Sequence, residues 1–387
     1  MSTGRNREPR IGRLEEQNDR QAQDLSVAIV HEWMTNLAGS EKCVLAMQEA
    51  FPRHRLYTSV VNGEVFPNAS LTARASALQR LAFARRSHAR ALPLIPPAMR
   101  MLRLESDHDL VIRSFHSFAT LPRSSVPTPE LIYCYTPPRF LYRRGTMAAE
   151  HPGLRLAMAI GRPLLAGGDR RRVCRATAVL AISSAVADRI KQTYGVCAEV
   201  IHPPVEVDRF AGRLGPREDF FIYCSRLVPY KRPDIAVEAF RGLPHRLVVV
   251  GDGRSRARLE ARAPSNVTFT GHLPDPERDD LLSRARGFVF PGEEDFGIAP
   301  VEALAAGCPV VALGRGGALD YVAHERNGLL VESQSPEAFA AAITRTTERE
   351  WDHNEIQESA QRFSSDRFIT RLRAAAISVV REAQFRR

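Results

Sequence analysis

The chain of 387 residues is longer than one hydrophobic core usually organises, so its length predicts two domains. With 44% hydrophobic and 25% charged residues, and with 24 glycines and 26 prolines spread along it, the sequence excludes a disordered or fibrous protein. A formal net charge of +10, from 54 basic and 44 acidic residues, calls for an anionic partner; charge alone leaves nucleic acid, an anionic membrane surface and a phosphorylated substrate open.

The first 24 residues mix Arg5, Arg7, Arg10 and Arg13 with Glu15, Glu16 and Asp19 and lack an apolar core, so residues 1–24 read as a mobile tail and not as a secretory signal. Residues 26–30 (SVAIV) then read as a buried strand. HEWMTNLAGSEK follows as a loop carrying Gly39, and an apolar periodicity over residues 44–51 predicts a helix. Between residues 65 and 104 no acidic residue occurs, while Arg74, Arg80, Arg85, Arg86, Arg90, Arg100 and Arg103 interleave with Leu, Phe, Met and Ile. Such a basic amphipathic stretch suits an anionic membrane surface and equally a solvated helical face. Residues 109–114 (DLVIRS), 130–135 (ELIYCY) and 178–183 (AVLAIS) read as further buried strands, the last leading into a helix near Ser184. Asp107 and Asp109 form a DxD, but they run straight into a strand, so a capping role is expected and no metal site.

Residues 200–210 (VIHPPVEVDRF) place two prolines before a polar stretch and mark the domain boundary, giving domains 25–205 and 206–365. A second alternating series follows: strands at 220–225, 246–253, 267–271, 287–291 and 309–313, with helices near 234–240 and 300–306. Alternation of this kind implies an α/β fold with two Rossmann-like, doubly wound parallel sheets, and ligands are expected at the carboxyl ends of the strands, in the cleft between the domains. No stretch reaches the roughly 18 uncharged apolar residues that a spanning helix needs. The six cysteines, Cys43, Cys134, Cys174, Cys197, Cys224 and Cys308, form no CxxC pair, so buried, reduced thiols in a cytoplasmic protein are expected.

The densest chemical signal is GEEDFGIAPVEALAAGCPVVA, residues 292–312. Here a strand ends, Gly297 permits a tight turn, and Pro300 suits the first turn of a helix. The free N–H groups and positive dipole end of that helix suit a diphosphate. Glu294 in the loop and Glu302 in the helix supply carboxylates for sugar and ribose hydroxyls. This segment resembles the E-x7-E motif of the retaining glycosyltransferases of family 4, whose GT-B fold sets two Rossmann-like doubly wound domains facing each other across a cleft. Residues 223–240 (YCSRLVPYKRPDIAVEAF) resemble that family's R-x4-K motif, HEWMTNLAGSEK its N-terminal glycine loop, and VIRSFHSFATLPRS its SSHAVAKG stretch.

The resemblance implies that Arg226 and Lys231 stabilise a departing diphosphate, that Glu294 and His116 orient the sugar, and that Glu302 holds the ribose. It implies further donor contacts from Phe296, Gly297 and Ile298, with backbone N–H groups of the last two, and close backbone approach at Gly39, which follows Ala38 where the family has Gly-Gly. One departure is Tyr135 in YCYTPPRFLY, where similar sequences carry histidine. Residues 78–86 (LQRLAFARR) and 311–322 (VALGRGGALDYV) are most similar to mannosyltransferases of O-antigen-type polysaccharide assembly. The implied donor is GDP-mannose, a substrate and not a cofactor, and the implied acceptor is lipid-linked or a saccharide. No metal, no cofactor and no nucleic acid are implied, and the place is the cytoplasm, peripheral on the inner face of the membrane. A closing helix, 366–387, is expected to pack back across the domain junction. Two other readings stay open: a catalytically silent nucleotide-binding or scaffold subunit, which Tyr135 keeps alive, and another GT-B enzyme with a different donor.

Overall fold

The computed structural model of the protein describes residues 20–142, 163 and 165–385. Seven parallel strands build the first sheet: β1 (Val27–His31), β2 (His54–Thr58), β3 (Arg74–Ala75), β4 (Leu110–Phe115), β5 (Glu130–Cys134), β6 (Ala178–Ala181) and β7 (Glu199–Val200), in the spatial order β3-β2-β1-β4-β5-β6-β7. Six more build the second: β8 (Glu218–Cys224), β9 (Arg246–Val250), β10 (Val267–Gly271), β11 (Ala285–Phe290), β12 (Val310–Leu313) and β13 (Gly328–Val331), in the order β10-β9-β8-β11-β12-β13. Aliphatic runs without polar alternation are what a parallel strand covered on both faces requires. Accordingly β1, β4 and β12 are buried at every position. The helices used below are α1 (Gly39–Ala50), α2 (Ser184–Tyr194), α3 (Asp275–Arg284), α4 (Ile298–Ala305) and α5 (Ser365–Phe385).

The chain divides into two compact units, the first formed by 1–182, 186–202 and 366–387 and the second by 183–185 and 203–365. Most of α5 therefore belongs to the first unit: the Phe368 ring lies edge-on to Tyr133 at 5.6 Å, and Arg373 Nε donates to the Ala50 carbonyl at 2.9 Å. In the second unit Phe221, Phe240, Phe288 and Phe290 are among the largest fully buried side chains. Each contributes about 1.5–3 kcal/mol by leaving water.

Three sequence expectations change. The expected mobile tail does not extend to residue 24: residues 20–24 are helical, Ala22 is fully buried and Arg381 donates to Gln21, while residues 1–19 lie outside the described residues. Four cysteines are buried, but Cys174 and Cys197 are exposed. The basic stretch is not one amphipathic helix. Its prolines and polar breaks divide it into short helices at Pro67–Thr72, Ala82–Arg86, His88–Ala91 and Ile95–Met101. Strands β2, β3 and β13 escaped the sequence reading because HRLYT, RA and GLLV are short and weakly patterned. Among the described residues no helix is long and apolar enough to cross a membrane.

Candidate functional site

In the first unit, β1, β4 and β5 are neighbours, and their register pairs His31 with Ser114 and Phe115 with Cys134. The chain therefore delivers Glu32, His116 and Tyr135 to the same carboxyl edge, where an open α/β sheet binds its ligands. Glu32 is fully buried. Its Oε1 accepts from four consecutive backbone N–H groups, those of His116 (3.1 Å), Ser117 (2.8 Å), Phe118 (3.0 Å) and Ala119 (3.1 Å). Its Oε2 lies 2.9 Å from His116 Nδ1 and 3.7 Å from His31 Nδ1. Burial pushes the Glu32 carboxyl pKa up, but the His116 and His31 rings and the backbone donors outweigh it and hold the group far below the ordinary carboxylate range. Burial likewise works against the His116 cation, and the Glu32 carboxylate overcomes it, so the imidazole pKa is raised. Arg113, itself buried, steadies the same loop by donating to the Ala119 carbonyl at 2.8 Å.

Around this pair the ring of Trp33 stacks on His88 at 4.3 Å and meets His116 edge-on at 4.9 Å. His31 Nε2 lies 3.8 Å from Glu41 Oε1, on the first turn of α1. The expected glycine loop is in fact a helix start: Gly39 is the first residue of α1, after an extended Ala38. Tyr135, the departure noted in the sequence, has a structural task. Its hydroxyl donates to the Ser40 carbonyl at 3.1 Å and lies 2.9 Å from Ser114 Oγ, tying the start of α1 to β4.

In the second unit the R-x4-K and E-x7-E segments meet. Lys231 Nζ lies 2.9 Å from Glu294 Oε1, joining the loop after β8 to the loop after β11, its neighbour in the sheet. Arg226 is exposed and donates to the Tyr230 hydroxyl at 3.1 Å. Gly297, with φ of +107°, caps α4, and Ile298 is its first residue; no side chain caps the N–H groups that start this helix, three residues after Glu294 in the chain. A second glycine, Gly316 (φ +64°), lets the 314–317 loop press on the same segment; a Cβ there would stand 2.3 Å from the Glu294 carbonyl. The Phe296 side chain is buried between Tyr321 and Phe363, which leaves its backbone as the part a donor could reach.

Glu302 is not drawn into the Lys231–Glu294 pair. It is buried, and its Oε1 accepts from Arg209 Nη2 at 2.9 Å and Arg278 Nη2 at 3.4 Å. Those two arginines also hold Asp275 and the buried Asp279 of α3. Arg209, Arg278, Glu32 and Glu41 escaped the sequence reading. Nothing in one chain pairs position 209 with 302, although a Glu directly after a buried strand, as at Glu32, was a usable signal.

The DxD residues serve locally: Asp109 Oδ2 accepts from the Ser26 N–H at 2.9 Å. Among the described residues Glu105, Asp107 and His108 bring three metal-type ligand atoms within 4.8 Å of one another. Arg55 and Arg74 ion-pair with Glu105, and the His108 ring nitrogens lie 3.1 Å from Ser26 Oγ and 2.9 Å from the Tyr57 hydroxyl, so these side chains already have protein partners.

Residues 205–363, the bulk of the second unit, match the family described as Glycosyl transferases group 1. D-rhamnosyltransferase WbpZ of Pseudomonas aeruginosa is 30% identical over 186 residues, 46% of this chain and 47% of that protein. A GDP-mannose-dependent alpha-(1-6)-phosphatidylinositol monomannoside mannosyltransferase of Mycobacterium tuberculosis is 32% identical over 206 residues, 45% of this chain and 53% of that protein. The chain thus spans about half the length of these relatives. In structure it is similar to Anabaena HepE in complex with UDP and glucose, with a TM-score of 0.61 at 17% identity, over 92% of this chain and all of that one. The likeness extends over both α/β domains, and the two-domain GT-B fold is the one the sequence led one to expect.

Proposed function

We propose that this chain, a family-4-like protein of GT-B fold, is a retaining glycosyltransferase that takes a hexose from a nucleoside-diphosphate donor. The observation that carries the reading is the Lys231–Glu294 contact of 2.9 Å at the carboxyl ends of β8 and β11, in the loop that leads through Gly297 into α4. A departing diphosphate gains negative charge as the glycosidic bond breaks. The Lys231 ammonium, the Arg226 guanidinium and the N–H groups at Gly297 and Ile298 are the groups that would meet it. Glu294 is then shared between Lys231 and the sugar hydroxyls, and Glu302, anchored by Arg209, faces the ribose. In the first domain, His116 is the group assigned to the sugar. The acceptor hydroxyl arrives on the face the diphosphate leaves and gives its proton to the departing phosphate oxygen, so no protein base is required. This scheme calls for no metal or cofactor, because protein cations supply the charge.

GDP-mannose is our donor assignment, supported by the Mycobacterium tuberculosis relative named as GDP-mannose-dependent. The acceptor is a lipid-linked or saccharide hydroxyl. The test is thermal stabilisation by a panel of GDP-, UDP- and ADP-sugars, since a ligand bound only by the folded state raises Tm. GDP-mannose alone is expected to shift it. A shift with a UDP-sugar in its place would move the donor, and no shift with any donor would favour a silent scaffold subunit.

We place the protein in the cytoplasm, peripheral on the inner face of the membrane. In support, the basic stretch exposes Leu71 (86%) and Met101 (80%) among the exposed Arg74, Arg80, Arg86, Arg90, Arg100 and Arg103. Near anionic headgroups each arginine contributes about 1 kcal/mol. Phosphatidylglycerol vesicles are expected to bind the protein more than phosphatidylcholine vesicles in a sedimentation assay, with binding falling as salt rises; equal binding to both would remove this surface.

A further inference from the structure

We infer that Glu32 is the positioning residue of the first domain: it clamps His116 through Nδ1 and through the backbone that carries it, leaving Nε2 as the nitrogen offered to the donor sugar. The inference rests on the reading of His116 as a sugar-contacting group and names what holds it.

The two oxygens of Glu32 do different work. Oε1 gathers the N–H groups of residues 116–119, which fixes the path of the loop just past β4. A neutral amide oxygen could do as much. Oε2 is placed otherwise: its near neighbours are two imidazoles, His116 Nδ1 at 2.9 Å and His31 Nδ1 at 3.7 Å. A fully buried carboxylate is costly unless it is paired and hydrogen-bonded, and here its pairing is spent on a histidine whose side chain is still 22% exposed. The ring's other faces are also set. Trp33 meets it edge-on at 4.9 Å, His31 lies at 6.0 Å between centroids and Tyr135 at 6.1 Å. Nε2 has no hydrogen-bond partner among the described residues. A carboxylate oxygen 2.9 Å from one nitrogen of a histidine forms an ion pair that favours the proton on that nitrogen and leaves the other to a ligand.

The titratable groups facing His116 are Glu32 and His31 from the end of β1, Glu41 from α1, His88 across Trp33, and Tyr135 after β5. Glu32 is held below its ordinary 4.5, so its part of the clamp is complete above about 4.5 and is lost as pH falls through the lowered value. His116 is held above its ordinary 6.5, so its part is complete below about 6.5 and is lost as pH rises through the raised value.

The test compares the wild type with Glu32→Gln by NMR titration of histidine-labelled protein, with His116 assigned through His116→Gln. Glutamine keeps an acceptor for the loop and removes only the charge. The His116 pKa is expected to fall by about one unit or more; a fall of less than about half a unit overturns the clamp. In the wild type, imidazole nitrogen shifts are expected to show Nδ1 protonated at neutral pH, a result that needs no variant, and an unprotonated Nδ1 overturns the inference even if Glu32→Gln does not fold. GDP release from GDP-mannose is the second readout: Glu32→Gln is expected to lower kcat about 10- to 100-fold with KM little changed, and to move the alkaline limb of the pH profile to lower pH. Full GDP release by His116→Gln would overturn the positioning role together with the sugar-contact reading. No release by the wild type would count against GDP-mannose as donor and leave the titration to decide the clamp.

Discussion

Lys231→Ala is expected to lower turnover by about 10²- to 10³-fold, the usual cost of removing one preorganised charge from a developing anion. The ammonium group lies at the crossing of the two motif loops, 2.9 Å from Glu294, and both side chains are only partly buried. Removing it should therefore leave the fold intact: a partly solvated pair contributes about 1 kcal/mol or less to stability. It should also release Glu294, whose carboxylate would then repel the departing diphosphate. Lys231→Arg keeps the charge but replaces a compact ammonium with a planar fork, so a partial recovery is expected. The measurement is steady-state GDP release from GDP-mannose alongside a thermal melt. An unchanged kcat with an unchanged melt would sink the leaving-group role, while a lowered Tm would assign Lys231 to structure.

Arg209→Ala is expected to destabilise the second domain by about 3 kcal/mol, because breaking a buried ion pair strands a charge. Arg209 reaches Glu302 at 2.9 Å, Asp275 at 3.0 Å and Asp279 at 3.6 Å, and two of those carboxylates, Glu302 and Asp279, are buried. Arg278 would remain as their only other cationic partner among these contacts, which puts the loss at the low end of the range for such pairs. Pairing the change with Glu302→Gln should recover part of the loss, since the two residues share one interaction and their effects should not add. Urea denaturation gives the value. A loss under about 1 kcal/mol would mean that Arg278 alone neutralises the site. A loss of GDP-mannose binding that exceeds the stability effect would support the proposed contact of Glu302 with the donor.

Local pattern made most of the architecture legible. The runs VAIVH, LVIRSF and VVAL carry no polar alternation, so they had to be buried on both faces, and the helices between them imposed parallel pairing. Gly297 and Ile298 were legible for a similar reason: a glycine after a strand and before an apolar helix marks a turn that needs positive φ. Glu294 and Lys231 could be named from their motifs, but their contact could not, because 63 positions separate them and β8 and β11 became neighbours only in the sheet. Tyr135 looked like a defect in sequence; with its hydroxyl on the Ser40 carbonyl it is a brace.

By itself, then, the sequence determined two α/β domains, the places of most central strands and the glycine-marked start of α4, because these depend on spacing and on the burial demands of neighbouring residues. Only the tertiary structure decided the partners of the charged groups. Glu32 with His116, Glu302 with Arg209 and Arg278, and Glu105 with Arg55 and Arg74 are each separated by 24 to 93 positions. A carboxylate's role is set by which donors the fold brings within about 3 Å of it, and that depends on strand order, which local propensity does not encode.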